Sequence, residues 1–275
     1  MGANPMRRIR TIAFAGAAIT AAFTAVGCNK LKARDNLNQG VIAFKAGNYS
    51  QAADHFKLAI DEDPSLPAAR VYLATAYVQQ YVPGTDTPDN KKFADAAMKE
   101  FQTVLASNPD DQYKLLATQS IANLYYQQKD FPNASVWEKK VIQLDPKNKE
   151  AYYTLGVIAW TDFIAPDREA RSKLGMKPED PPPLKDAKLR EDLKAKFWQP
   201  LTDGIDDEKH ALQIDPEYEN AMAYMNLLIR YRADLDDTKE QGLADWKEAD
   251  TWVQKALETQ KIKAQRKAAN PNAKE

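Results

Sequence analysis

The sequence predicts an all-α protein, a solenoid of helical hairpins with about five repeats and some insertions. The first observation is a set of four Asx-Pro pairs: Asp63-Pro64, Asn108-Pro109, Asp145-Pro146 and Asp215-Pro216, each closing an apolar stretch. The second is what lies upstream of each pair: a small residue, then an aromatic or apolar one at helical spacing. Proline disfavours helix in the residue before it, so each pair marks a helix end.

Residues 33–64 show the pattern best. Leu37, Val41 and Phe44 recur at helical spacing and predict a helix over 33–45. Gly47-Asn48 breaks it, glycine supplying the turn conformation that other residues resist. Ser50 is expected to cap a second helix, whose buried stripe is Ala52, Phe56, Ala59 and Ile60. Gly40 in mid-helix costs about 1 kcal/mol relative to alanine. Its use is to let another helix approach, and Ala52 and Ala59 make the same allowance on the partner.

Gly40, Ala52-x-x-x-Phe56 and Pro64 resemble the tetratricopeptide repeat, a helix–turn–helix unit of about 34 residues. The first unit spans 33–66. A second, 67–111, carries Leu73-Ala74-x-x-Tyr77, Ala97-x-x-x-Phe101 and Pro109. A third, 115–148, carries Ile121-Ala122-x-x-Tyr125, Ala134, Trp137 and Pro146. A fourth, 149–218, carries Leu155-Gly156-x-x-Ala159, Ala211, Leu212 and Pro216. A fifth, 219–262, carries Met222, Met225, Ala249 and Trp252 without a closing proline. The resemblance implies a tetratricopeptide superhelix over 33–268.

The repeats are unequal. An extra stretch at 81–90 falls between the two helices of the second unit. A long insertion, about 163–200, lies in the fourth and contains Pro181-Pro182-Pro183. Leu189, Leu193 and Phe197 recur every four residues there, and predict one extra amphipathic helix over 184–198 lying on the array. The last helix, predicted over 243–268, turns polar after Leu257, as a terminal cap should. Residues 269–275 are expected to be a disordered tail.

The amino terminus reads as an address. Arg7, Arg8 and Arg10 form a basic head, and Ile12–Val26 is an apolar stretch too short to span a bilayer. Residues 1–27 therefore read as a secretory signal, with Arg7-Arg8 hinting at twin-arginine export. Ala25-Val26-Gly27-Cys28 resembles the bacterial lipobox, and Cys28 is the sole cysteine of the chain. Lipidation at Cys28, with 28–32 as tether, is the expectation; an ordinary signal beside an incidental thiol is the alternative. Asn29 stands where an aspartate would retain such a lipoprotein at an inner membrane, so the reading is the periplasmic face of the outer membrane. Each buried acyl methylene contributes about 0.8 kcal/mol, so two or three chains would hold firmly.

The resemblance implies a concave surface lined by the first helix of each pair. Its candidate partner-binding residues are Phe44, Val78, Asn123, Tyr126, Tyr153, Val157, Trp160, Arg230 and Tyr231. Apolar and aromatic groups dominate, so an apolar or aromatic protein or peptide segment is the expected partner. Trp160, Tyr153 and Tyr126 are the expected hot spots. Packing between neighbouring repeats is the other fate of such rings. The structural positions are Gly40, Ala52, Phe56, Pro64, Ala74, Ala97, Phe101, Pro109, Ala122, Ala134, Pro146, Gly156, Ala211 and Pro216.

Motifs for catalysis are missing. His55 and His210 read as surface residues, and no paired histidines, phosphate loop or nucleophile elbow is present. The acidic runs Asp206-Asp207-Glu208 and Asp234-x-Asp236-Asp237 read as solvated or helix-capping. A net charge of −1 gives no field for nucleic acid. No catalytic residue, metal or cofactor is expected. The leading reading is a lipid-anchored envelope scaffold, with a role in envelope or outer-membrane assembly. A small-molecule or glycan receptor is the alternative, and a cell-wall enzyme a minor one.

Overall fold

The computed structural model describes residues 28–269; the expected signal, 1–27, and residues 270–275 lie outside the described residues. No strand occurs among the described residues. The chain divides into two compact units, Met1–Asp130 and Phe131–Glu275.

In the first unit, α1 covers 28–45, α2 Tyr49–Glu62, α3 Pro67–Val78, α4 Pro88–Ala106 and α5 Asp111–Gln127. Residues 28–32, expected as a tether, are helical and belong to α1. The cap of α2 is Asn48, without a side-chain hydrogen bond, and not Ser50. Gly47 (φ 78°) and Asn48 already complete the turn, which places Ser50 inside the helix. Gly40 is where α1 and α2 meet. A Cβ there would lie 2.4 Å from the ring of Phe56, which is fully buried. Phe56 stacks on Tyr72 of α3 at 5.5 Å and so joins three helices.

The extra stretch after α3 is a loop, as expected, and one buried amide organises it. Asn90 Oδ1 accepts from the Val82 N–H at 2.7 Å, while Nδ2 donates to the carbonyls of Val82 and Thr85. Thr87 caps α4 by accepting from the Asn90 N–H, and Pro88 opens the helix where a missing N–H costs nothing.

The second unit holds α6 (Phe131–Leu144), α7 (Lys149–Lys173), α8 (Ala187–Ile214), α9 (Glu219–Arg232), a single 3-10 turn (Ala233–Leu235) and α10 (Lys239–Ala269). Ala269, placed in the tail by the sequence, ends α10. The separate helix expected over 184–198 does not exist. The insertion instead lengthens both partners of one hairpin: α7 has 25 residues and α8 has 28, against 14 in α6 and α9. Pro166 and Pro200 lie within these helices. Each removes one i→i−4 hydrogen bond, a loss that packing along the rest of the hairpin outweighs. The expected stripe does face inward: Leu189 and Leu193 pack on Ala170, Met176 and Leu184, and Leu193 and Phe197 reach the main core around Phe163, Leu201 and Leu228.

The small and aromatic positions read from the repeats are core. Ala52, Ala74, Ala97, Ala122, Ala134 and Ala211 have no exposed surface, and Phe101 has 1%. Gly156 and Gly204 set the α7–α8 crossing, where a Cβ on Gly204 would meet Ala159 at 2.9 Å. Pro64, Pro109, Pro146 and Pro216 follow the ends of α2, α4, α6 and α8.

The acidic runs depart from expectation. Glu208 is fully buried, and Asp234 and Asp236 are buried too. The cause for Glu208 is helical register. Leu201, Gly204, Ile205, Glu208 and Ala211 form one inward stripe of α8, so the carboxyl is carried in by its neighbours.

Candidate functional site

Helices α7 and α9 lie side by side in the second unit, and both carry aromatics two turns apart: Tyr153 and Trp160 on one, Tyr224 and Tyr231 on the other. A seven-residue step returns a side chain to the same face. The rings interleave edge to face. Tyr153 meets Tyr218 at 5.4 Å and Tyr224 at 5.3 Å; Trp160 meets Tyr224 at 5.7 Å and Tyr231 at 6.1 Å. Such pairs are favoured by the ring quadrupole and contribute about 0.5–1.5 kcal/mol each beyond area burial. All five rings are half-buried, so one edge of the ladder packs and the other remains accessible. The Trp160 indole N–H has no acceptor among the described groups.

At its first end the ladder is anchored by Tyr218. Lys149 Nζ lies 4.5 Å from that ring and 2.6 Å from Asp215. Burial and then the Glu150 charge push the Tyr218 phenol up to about 12, so it stays neutral. At its other end Tyr231 opens into a pocket of about 400 Å³, lined also by Asp167, Arg168, Arg171, Trp246 and Asp234. Arg171 donates from Nε and Nη2 to the two Asp234 oxygens, both at 2.6 Å, and from Nη1 to the carbonyls of Lys177 and Asp180. Asp167 sits 3.7 Å from the same guanidinium and is 1% exposed. Burial, then the adjoining Asp234, raises its carboxyl well above the usual range. Arg230 pairs with Asp250 and lies over Trp246, whose indole donates to the Arg230 carbonyl.

Of the residues read as partner-binding, Tyr153, Trp160 and Tyr231 come together in this ladder, and Arg230 lies at the pocket. Val157 is 5% exposed and presents no side chain to a ligand. It follows Gly156 at the α7–α8 crossing and packs inward. The other four belong to the first unit. Phe44 meets Tyr49 edge to face at 5.2 Å; Val78 and Tyr126 are half-buried; Asn123 is exposed and accepts from Gln127. Tyr218, Tyr224, Trp246, Arg171, Asp167 and Asp234 were not among the sequence candidates. The Tyr224–Tyr231 spacing, repeating that of Tyr153–Trp160, was the available signal for two of the rings. No such signal marked Arg171, which lies in the stretch read as insertion. His55 is half-buried, and His210 is exposed and stacks on Tyr152 at 5.3 Å. Among the described residues no cluster of His, Cys, Asp or Glu has the arrangement of a metal site, and no helix is long and apolar enough to cross a membrane.

Helical pairs with small residues at each crossing, proline after the second helix and aromatics along the first define a helical-hairpin repeat protein. The family model described as tetratricopeptide repeat matches residues 17–67 and 37–112. Among solved structures, the chain is similar to a MamA protein at 14% identity, over 89% of this chain and 98% of that one, with a TM-score of 0.53. It is also similar to MamA from Desulfovibrio magneticus RS-1 (residues 41 to the end) at 16% identity, over 84% and 96%, with a TM-score of 0.54. At these identities the likeness is one of fold. No curated relative matches in sequence. The family match covers residues 17–112, and over the described residues the fold is the all-α one of tetratricopeptide-repeat proteins.

Proposed function

We propose that this protein is a lipid-anchored scaffold of the bacterial cell envelope, on the periplasmic side of the outer membrane, which holds a protein or peptide partner along the α7–α9 face. The observation that carries the binding role is the half-buried aromatic ladder. Its inner edges lock the helices, which keeps the outer edges rigid, and rigid aromatic surface binds with little ordering cost. An apolar or aromatic segment fits it best. The lipobox-like Ala25-Val26-Gly27-Cys28 supports the anchor, and Cys28 is exposed. Labelled palmitate is expected in the wild-type chain and not in Cys28→Ser; label retained by the variant would remove the anchor from this reading.

The pocket beside Tyr231 favours a second reading, a small-molecule or glycan receptor, because its volume falls in the range of ligand sites. One thermal-shift series separates the two, since a ligand of the folded state raises the melting temperature by mass action. Aromatic-rich decapeptides are expected to raise Tm for the full chain, and Trp160→Ala to weaken their binding by about 2 kcal/mol or more. A rise with oligosaccharides alone, unaffected by Trp160→Ala, would support the receptor instead.

A further inference from the structure

Helix α7 meets a buried acid toward each end. Glu208 of α8 lies opposite Gly156, in space that a side chain at 156 would take: a Cβ there would be 2.3 Å from Oε1. Glu208 has no exposed surface, and neither of its carboxyl oxygens has a hydrogen-bond partner among the described groups. The titratable groups acting with it are Asp207 on its own helix and the Tyr218 phenol at the start of α9; α7 contributes glycine. No cation is among them.

Eleven residues further along α7, about 16 Å on, Asp167 adjoins Asp234 from the turn after α9. One guanidinium, Arg171, serves both, and its fork is committed to Asp234. The other charged or titratable groups near Asp167 are Arg168 on its own helix, and Tyr231 and Arg230 on α9. Arg230 is committed to Asp250; the loop after α7 offers Arg171 only carbonyl oxygens. One cation cannot neutralise two buried carboxylates, and a bare buried charge costs several kcal/mol. Neither Asp167 oxygen has a hydrogen-bond partner among the described groups, and a proton kept on Asp167 resolves the conflict.

We infer that Glu208 and Asp167 make the second unit an acid-tightened clamp, in which α7 closes on α8 and α9 while these two acids hold their protons and loosens when they ionise. The inference deepens the binding reading, since the same helices carry the aromatic ladder.

The sign follows from linkage. Burial pushes Glu208 up to about 10, Glu138 to about 7, and Asp207 and Asp236 to about 6; Asp167 moves the same way. The same acids ionise near pH 4 in an unfolded chain. Between those limits the folded state binds more protons, so stability is complete in acid and falls as pH rises through the folded values. In the first unit, Asp63 is lowered by its Ser65 hydrogen bond and contributes with the opposite sign.

All five tryptophans, Trp137, Trp160, Trp198, Trp246 and Trp252, lie in Phe131–Glu275, so indole fluorescence reports this unit. Urea unfolding of the full chain should be followed by that signal from pH 5 to 9. The midpoint is expected to fall at each step, the unfolding constant rising by up to about tenfold per pH unit for each such acid. Glu208→Gln and Asp167→Asn keep shape without ionising, and each should flatten the dependence. If Glu208→Gln does not fold, Asp167→Asn alone decides. A wild-type midpoint that is level or rises with pH overturns the clamp, as does a slope that the folded variants leave unchanged. The readout needs no partner, so a failure of ligand binding bears only on the preceding proposal.

Discussion

Arg171→Ala is expected to be among the most destabilising substitutions in the chain, at about 3–5 kcal/mol. The guanidinium makes two 2.6 Å hydrogen bonds to Asp234 and two more to backbone carbonyls, and it is the cation beside Asp167. Alanine would strand two carboxyls that are each 1% exposed and leave two carbonyls without their donor. The penalty comes from those orphaned groups more than from the lost attraction, because the pair's own Coulomb gain is largely cancelled by desolvation. Thermal unfolding at neutral pH should show a Tm lowered by on the order of 10 °C. Arg171→Lys keeps the charge but not the fork, and should fall between alanine and wild type. A loss below about 1 kcal/mol for alanine would mean that Asp234 is not held as described.

Phe56→Ala should cost a similar amount, about 3–5 kcal/mol, through a cavity instead of a charge. The ring covers Gly40 on α1, stacks on Tyr72 of α3 and belongs to the cluster of Ala52, Ala53, Leu73 and Ala76. Glycine and alanine cannot expand into the vacated space, so the cavity would persist. Amide hydrogen exchange across α1 and α2 should accelerate at least a hundredfold, the lower bound that such a loss implies for amides exposed by unfolding of this unit. Protection unchanged in those two helices would show that the ring is not their keystone.

Much of this was legible because the repeat writes its constraints locally. Gly40, Ala52, Phe56 and Pro64 each express one physical demand of a tight hairpin, and the structure places each where that demand arises. The 163–200 stretch was misread for a related reason. Pro181-Pro182-Pro183 signalled a break and the helix after it was read as ending at 198, yet tertiary packing carries α8 straight through Pro200. Misplacing that boundary hid the stripe Tyr153, Trp160, Asp167, which continues only if α7 does. The buried acids were missed because a run of three carboxylates reads as solvated. Only helical phase separates Glu208, inside, from Asp206, outside.

The lengthened hairpin also shows two ways in which such a protein can grow. Extra copies of the motif extend the row and multiply similar surface. Stretching one hairpin from within adds depth across the row instead, and leaves the small-residue contacts with its neighbours in register. Here that transverse growth built a compartment of different chemistry, charged and partly open, at the edge of an otherwise oily face.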